Sequence, residues 1–252
     1  MTTARTPKAP PGFTLPDPPK SQDEKMTASK HLSLTGGAHF LAQHLGDPDT
    51  TIVGADLYII PVPTTELTSI AGAVYPDLVV AFDADPALYY AHNGYVISEQ
   101  GKPPDFVLEV ASRSTGRRDT VEKRVRYAEL GIAEYWRFDE TGEFHGVRLA
   151  GDRLVDGRYE PIEIDDIPDG SLQGHSTVLN VDLRWADGQL HWHDPATGRH
   201  IASLESEREG RIRAQARAAA EQRARAQAEE RAGTAEARVR ELEDQLNQLR
   251  GE

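Results

Sequence analysis

The sequence predicts an α/β protein, a central sheet with helical cover, followed by a separate helical tail. Three observations carry that reading. Strand-like runs rich in β-branched and aromatic residues alternate with segments of helical period. A length of 252 residues suits one well-filled α/β domain plus an appendage. From about Ala202 the composition changes to Ala, Arg, Glu and Gln, all strong helix formers.

Residues 1–25 hold Pro7, Pro10, Pro11, Pro16, Pro18 and Pro19. So many fixed φ angles and missing donors leave neither a helix nor a central strand, and an extended, disordered arm is expected. Between Met26 and Leu45 the apolar positions Leu32, Ala38, Leu41, Ala42 and Leu45 fall at near-helical spacing, weakened at Gly36-Gly37. Three strand-like runs follow, Thr51 to Val62, Asp77 to Phe82 and Asp105 to Ala111, as neighbours in one sheet. Arg117 to Leu130 then reads as a helix with Val121, Val125 and Ala128 on one stripe and Gly131 in the place of a C-terminal cap. Glu134 to Asp139, Phe144 to Leu149, Arg158 to Ile164 and Gln189 to His193 read as further strands, punctuated by Thr-Gly, Asp-Gly and Asp-Pro turn signals. Residues 26–203 thus form one α/β domain.

In the tail, residues 204–252, Ala228, Ala232, Ala235, Val239, Leu242, Leu246 and Leu249 are spaced alternately four and three apart. That is the seam of a coiled coil, through which the chain would self-associate or join a protein partner. Small Ala knobs and Gly233 leave a solvent-exposed helix as the other reading.

Cysteine is absent, which excludes a thiol nucleophile, a Cys-ligated metal and disulfides. The net charge is −13. From Glu205 onward there are 10 Arg and 11 acidic residues, so residues 1–204 hold 18 basic and 30 acidic groups, a net of −12. A body this acidic does not attract phosphate backbones through its overall field, so nucleic-acid contact must be local or screened by cations. No apolar run approaches the roughly 18 residues of a membrane span, and the start lacks a signal-peptide stretch; a soluble cytoplasmic protein is expected.

Chemistry concentrates between residues 76 and 139. Pro76-Asp77-Leu-Val-Val opens one buried strand, and Pro104-Asp105-Phe-Val-Leu-Glu109-Val-Ala111 forms the next. Alternation sends Asp105, Val107, Glu109 and Ala111 to one face and Phe106, Leu108 and Val110 to the other. A carboxylate in so apolar a strand carries a large desolvation cost unless a cation or hydrogen bonds compensate it. Asp77 and Glu109 meeting at one sheet edge would suit a hard divalent ion such as Mg²⁺; a structural ion pair is the alternative for Glu109. Asp119, Lys123 and Tyr127, at i, i+4 and i+8, share a helix face distinct from the Val stripe, so Lys123 can reach back over that edge. Alone, Asp119 and Lys123 read as a surface pair contributing about 0.2–0.5 kcal/mol. The loop Ser112-Arg113-Ser114-Thr115-Gly116-Arg117-Arg118 gathers cations and hydroxyls that could hold phosphate oxygens, or is simply solvated. His191-Trp192-His193 places two histidines on one strand face, a spacing that can bind zinc, with no third ligand evident from sequence. Phosphate-loop, serine-hydrolase and zincin motifs do not occur.

Pro76-Asp77, Pro104-Asp105-Phe-Val-Leu-Glu109-Val, Ser112-x-Ser114-Thr115, Asp119, Lys123, Tyr127, Gly131-Ile-x-Glu134-Tyr135-Trp136 and Asp139 together resemble the Uma-type restriction endonuclease family of the PD-(D/E)XK nuclease superfamily. The resemblance spans about residues 30–200. It implies a restriction-endonuclease-like mixed sheet flanked by helices and a Mg²⁺-dependent endonuclease, with Mn²⁺ as the alternative ion, acting on nucleic acid, DNA above all. By position, Asp77 is the motif aspartate and Glu109 the following acidic residue, the two metal ligands. The motif lysine falls at Ala111, a departure that this family offsets with a lysine migrated to the next helix, matching Lys123. Arg113, Ser114, Thr115, Arg117 and Arg118 would hold phosphates. Ala111 and the acidic body also admit a nuclease fold without turnover, a binding or assembly module acting through its tail.

Overall fold

The structure, a computed structural model, describes residues 9–18, 37–64, 73–113 and 116–201, together with Gln215, Arg217 and Gln222. The chain divides into two units, 1–203 and 204–252. The three described residues of the second are helical, and the coiled-coil seam lies outside the described residues.

Helix α1 spans Gly37–Leu45; the earlier part of the expected helix lies outside the described residues. The single run expected from Thr51 to Val62 is two strands, β1 (Ile52–Gly54) and β2 (Tyr58–Ile60), separated where Asp56 takes a left-handed φ of 53°. That kink sends them to different sheets. The main sheet has the order β1, β3 (Leu78–Ala81), β5 (Phe106–Val110), β6 (Glu134–Phe138), β7 (Leu149–Val155), β8 (Arg158–Pro161). Its β5–β6 pair is parallel and its other pairs are antiparallel. Strand β2 instead pairs in parallel with β4 (Gly94–Val96). Two short helices, α2 (Pro86–Ala91) and α3 (Ile97–Gln100), flank β4. The Asp85 carboxylate caps α2 by accepting from the Ala87 and Leu88 amides, which satisfies two orphan donors.

A second, antiparallel sheet follows, ordered β12 (Gln189–His193), β11 (Val181–Ala186), β10 (Leu172–Ser176), β9 (Asp165–Asp166). Asp156-Gly157 and Asp187-Gly188 close the β7–β8 and β11–β12 hairpins with positive φ at both residues, the geometry of the two-residue turn that suits strand twist.

One face of the main sheet (Leu78, Val80, Phe106, Leu108, Val110, Trp136, Phe138) packs on Leu41 of α1 and on Val181, Leu183, Leu190 and Trp192 of the second sheet. Trp136 fits because β7 and β10 carry glycine beside it: a Cβ at Gly151 would lie 2.9 Å, and at Gly174 2.8 Å, from its ring. The other face (Val79, Ala81, Val107, Tyr135) packs on Tyr127, Ile132 and Tyr159.

Two expectations change. Residues 9–18 are not a disordered arm: Phe13 and Leu15 are buried against Tyr58, Ile60 and Val96, and the Leu15 amide donates to the His92 carbonyl at 2.9 Å. The rest of the arm lies outside the described residues. Phe144 to Leu149 is not a strand. Gly142 and Gly146 turn left-handed, and the Asp139 carboxylate gathers the amides of Thr141, Phe144 and His145, so pairing resumes only at Leu149.

The expected helix is present as a π-helical segment, Arg118–Lys123, running into α4, Arg124–Leu130. Gly131 caps it with φ 79°. Its orientation is the reverse of what the apolar stripe suggests. Val121 and Val125 are 57% and 56% exposed, whereas Asp119, Lys123 and Tyr127 are buried. The sheet surface opposite presents a carboxylate, and a face that supplies a cation and a hydroxyl answers it better than valine does.

Candidate active site

The antiparallel pairing of β3 with β5 sets Leu78 against Leu108 and Val79 against Val107. One step further, Asp77 stands opposite Glu109, and directly opposed residues share a face with Cβ atoms about 4.5–5.5 Å apart. The Asp77 Oδ2 accepts the Val110 amide at 2.7 Å, so the carboxylate takes a place that a backbone carbonyl would otherwise fill at the strand end. Glu109 is 2% exposed. Its Oε2 lies 2.8 Å from Lys123 Nζ, and its Oε1 accepts the Tyr127 hydroxyl.

Lys123 continues the network. Its Nζ is 2.9 Å from Asp119 Oδ1 and 5.7 Å from the centre of the Tyr75 ring. Asp119 Oδ2 lies 3.2 Å from His145 Nε2, while the Asp119 carbonyl accepts the Tyr135 hydroxyl at 2.8 Å. The π winding over Arg118–Lys123 is a departure from α geometry of the kind found at functional positions. Asp119 has no exposed surface, so Asp119–Lys123 is a buried bridge and not the surface pair expected from its spacing.

Burial pushes the Asp77 carboxyl up to about 7, with Asp56 and Asp119 adding to the rise and the Val110 amide and Lys123 opposing it. Burial likewise raises Glu109 to about 8, Lys123 opposing and Asp77 and Asp119 adding. For Lys123, burial acts downward, but Glu109 and Asp119 outweigh it and hold the ammonium charged. The edge therefore combines two carboxyls whose ionised forms are costly with one fixed cation.

Of the residues singled out from sequence, Asp77, Glu109 and Lys123 are brought together. Arg113 is exposed after β5, Arg117 and Arg118 are exposed at the start of the following helix, and Arg118 stands 3.9 Å from Glu122. Gly116 lets this loop pass close to the 140–148 turns, since a Cβ there would lie 2.5 Å from the Phe144 carbonyl oxygen. Ser114 and Thr115 lie outside the described residues. His191 and His193 sit on β12 of the second sheet, apart from this cluster. Asp119 and Tyr127, which the sequence places on one face with Lys123 without a site role, hold the network together. His145 was not foreseen, and no local pattern marks it.

Comparison with known proteins follows the same outline. A sequence model of the Uma2 family, described as "Putative restriction endonuclease", matches residues 41–200, more than half of the chain. The chain belongs to the Uma2 family. Among solved structures, this Uma2 chain is similar to "a putative nuclease belonging to DUF820 from Anabaena variabilis ATCC 29413", at 11% identity and a TM-score of 0.36, covering 61% of this chain and 76% of that one. No curated protein matches. The family to which this Uma2 protein belongs is described as one of restriction endonucleases, a nuclease class. No helix among the described residues is long and apolar enough to cross a membrane.

A divalent ion fits the donor set at the edge. No group of three His, Asp or Glu among the described residues is arranged as a metal cage. Mg²⁺, however, is commonly held by one or two carboxylates, with water and phosphate completing its octahedron. Asp77 and Glu109 are the two carboxylates here that could hold such an ion.

Proposed function

We propose that this protein is a Mg²⁺-dependent endonuclease, active also with Mn²⁺, that hydrolyses phosphodiester bonds in DNA. The observation that carries the reading is the opposed pair Asp77 and Glu109 at one end of the adjacent strands β3 and β5, with Lys123 Nζ 2.8 Å from Glu109. Asp77 and Glu109 would hold the ion. When bound, such an ion lowers the pKa of water and stabilises charge on the scissile phosphate. Tyr127 fixes one oxygen of Glu109, and Asp119, oriented by His145, fixes Lys123. Lys123 holds its proton and presents positive charge where charge develops on the phosphate. Arg113, Arg117 and Arg118, with Ser114 and Thr115, bind flanking phosphates, a local cationic patch on an acidic body.

Supercoiled, linear and single-stranded DNA incubated with Mg²⁺ or Mn²⁺ tests this. Cleavage that disappears in Glu109→Ala is the expected result; no cleavage, or cleavage undiminished in that variant, refutes it. A second reading, a nuclease fold retained as a binding module, draws on the closure of the Lys123–Glu109–Asp119 cluster on itself. Calorimetric titration with Mn²⁺ separates the two: heat abolished by Asp77→Asn supports the enzyme, and no heat in the native protein supports the module.

A further inference from the structure

The second sheet gathers histidines on its other face. Alternation along β12 buries Leu190 and Trp192 in the core and turns His191 and His193 the opposite way. Beyond β12 the chain reverses through a turn closed by Asp194, whose carbonyl accepts the Gly198 amide at 2.8 Å and whose amide donates to the Arg199 carbonyl at 2.9 Å. The return brings His200 antiparallel against His193. A His-x-His pair on one strand and a histidine directly across from it thus converge from two backbone segments. His200 Nε2 lies 3.1 Å from His191 Nδ1. The His200 ring centre is 5.0 Å from that of His191 and 5.4 Å from that of His193.

Two nitrogens on one tetrahedral zinc, each at about 2.0–2.1 Å, stand about 3.3–3.4 Å apart. The His191–His200 separation is close to that spacing. We propose that His191, His193 and His200 form a site for a borderline-soft divalent ion of the Zn²⁺ class, separate from the Asp77–Glu109 edge. Three neutral imidazoles from a rigid hairpin are a recurrent zinc ligand set, leaving a fourth position for water. Burial, with the proximity of His191 and His193, holds His200 down to about 4, and burial also lowers His193. Strand pairing sets Asp182 opposite His193 and Arg184 opposite His191; the carboxylate favours a cation there and the guanidinium opposes one. The three donors are not yet gathered around a point. Binding requires the His193 ring to turn from its long 3.4 Å contact with the Gly198 carbonyl, and the donor ring of the His191–His200 hydrogen bond to carry its proton on its other ring nitrogen.

The test uses the full chain and two probes: Zn²⁺ by calorimetry and Co²⁺ by its visible absorption, whose intensity reports tetrahedral coordination. One Zn²⁺ per chain is expected, with a tetrahedral Co²⁺ spectrum. Affinity should fall at least tenfold in His191→Ala, His193→Ala and His200→Ala, each checked for native circular dichroism, and remain unchanged in Glu109→Ala. Lack of uptake by the native protein, or an affinity in the three histidine variants equal to that of the native protein, overturns the proposal. Neither result depends on whether DNA is cleaved.

Discussion

Raising the pH should destabilise this protein across the neutral range, and Glu109→Gln should remove much of that loss. The folded state raises Glu109 from 4.5 to about 8 and Asp77 from 3.8 to about 7. Between the unfolded and folded values the native state binds more protons than the unfolded chain, so stability falls as pH rises. For Glu109 the displacement, which already includes the opposing pull of Lys123, corresponds to at most roughly 5 kcal/mol between full protonation and full ionisation. Lys123, raised in the fold, contributes in the same direction only above its unfolded value near 10.5. Urea unfolding in EDTA from pH 5 to 9 reads the effect as a falling midpoint at constant slope. Glu109→Gln keeps the shape and an acceptor for Tyr127 but cannot ionise, so its midpoint should fall by about half as much. A native midpoint that is flat or rising over this range, or an identical decline in Glu109→Gln, would refute the assignment of buried, proton-retaining carboxyls.

Lys123→Met should leave Glu109 and Asp119 buried without their cation, lower stability by about 3 kcal/mol at pH 8 and lower DNA cleavage by at least about a hundredfold; urea titration and initial rates check both. His145→Ala removes the partner of Asp119 Oδ2 and should cost about 1–3 kcal/mol, with thermal unfolding as the measure and His145→Gln recovering part of it. Gly151→Ala brings a methyl against the Trp136 ring and should destabilise by about 1–3 kcal/mol, measured in the same way. Sedimentation of the full chain against residues 1–203 tests whether the tail self-associates; a smaller subunit number in the truncated form is expected.

The strand face of Glu109 was legible because period-two alternation fixes which residues share a side, and the observed β5 buries Phe106, Leu108 and Val110 together as that period demands. Asp77 was legible as a neighbour for the same reason. Gly131 and the Asp-Gly turns were legible because few residues tolerate a positive φ. The inward face of the Arg117–Leu130 helix was not. Periodicity sorts residues into stripes without saying which stripe meets the sheet, and here the partner surface carries Glu109, so Asp119, Lys123 and Tyr127 turn inward and the valines outward. His145 was invisible because its position comes from turns gathered by the Asp139 carboxylate, a tertiary arrangement with no spacing rule. Strand β10 was missed for a related reason: Leu-Gln-Gly-His-Ser at 172–176 has little apolar signal, and Gly174 is there to admit Trp136, whereas β11, Val-Asp-Leu-Arg-Trp-Ala at 181–186, carries a period-two pattern that the sequence did offer.

A helix docked through charges is held differently from one docked through valine. Apolar side chains are interchangeable partners, and a greasy seam can creep along its groove at modest cost. The Glu109–Lys123–Asp119–His145 chain has no equivalent one notch away, because any slip strands a charge in the interior. The helix is keyed to a single position on the sheet, and the ammonium at the edge inherits that accuracy.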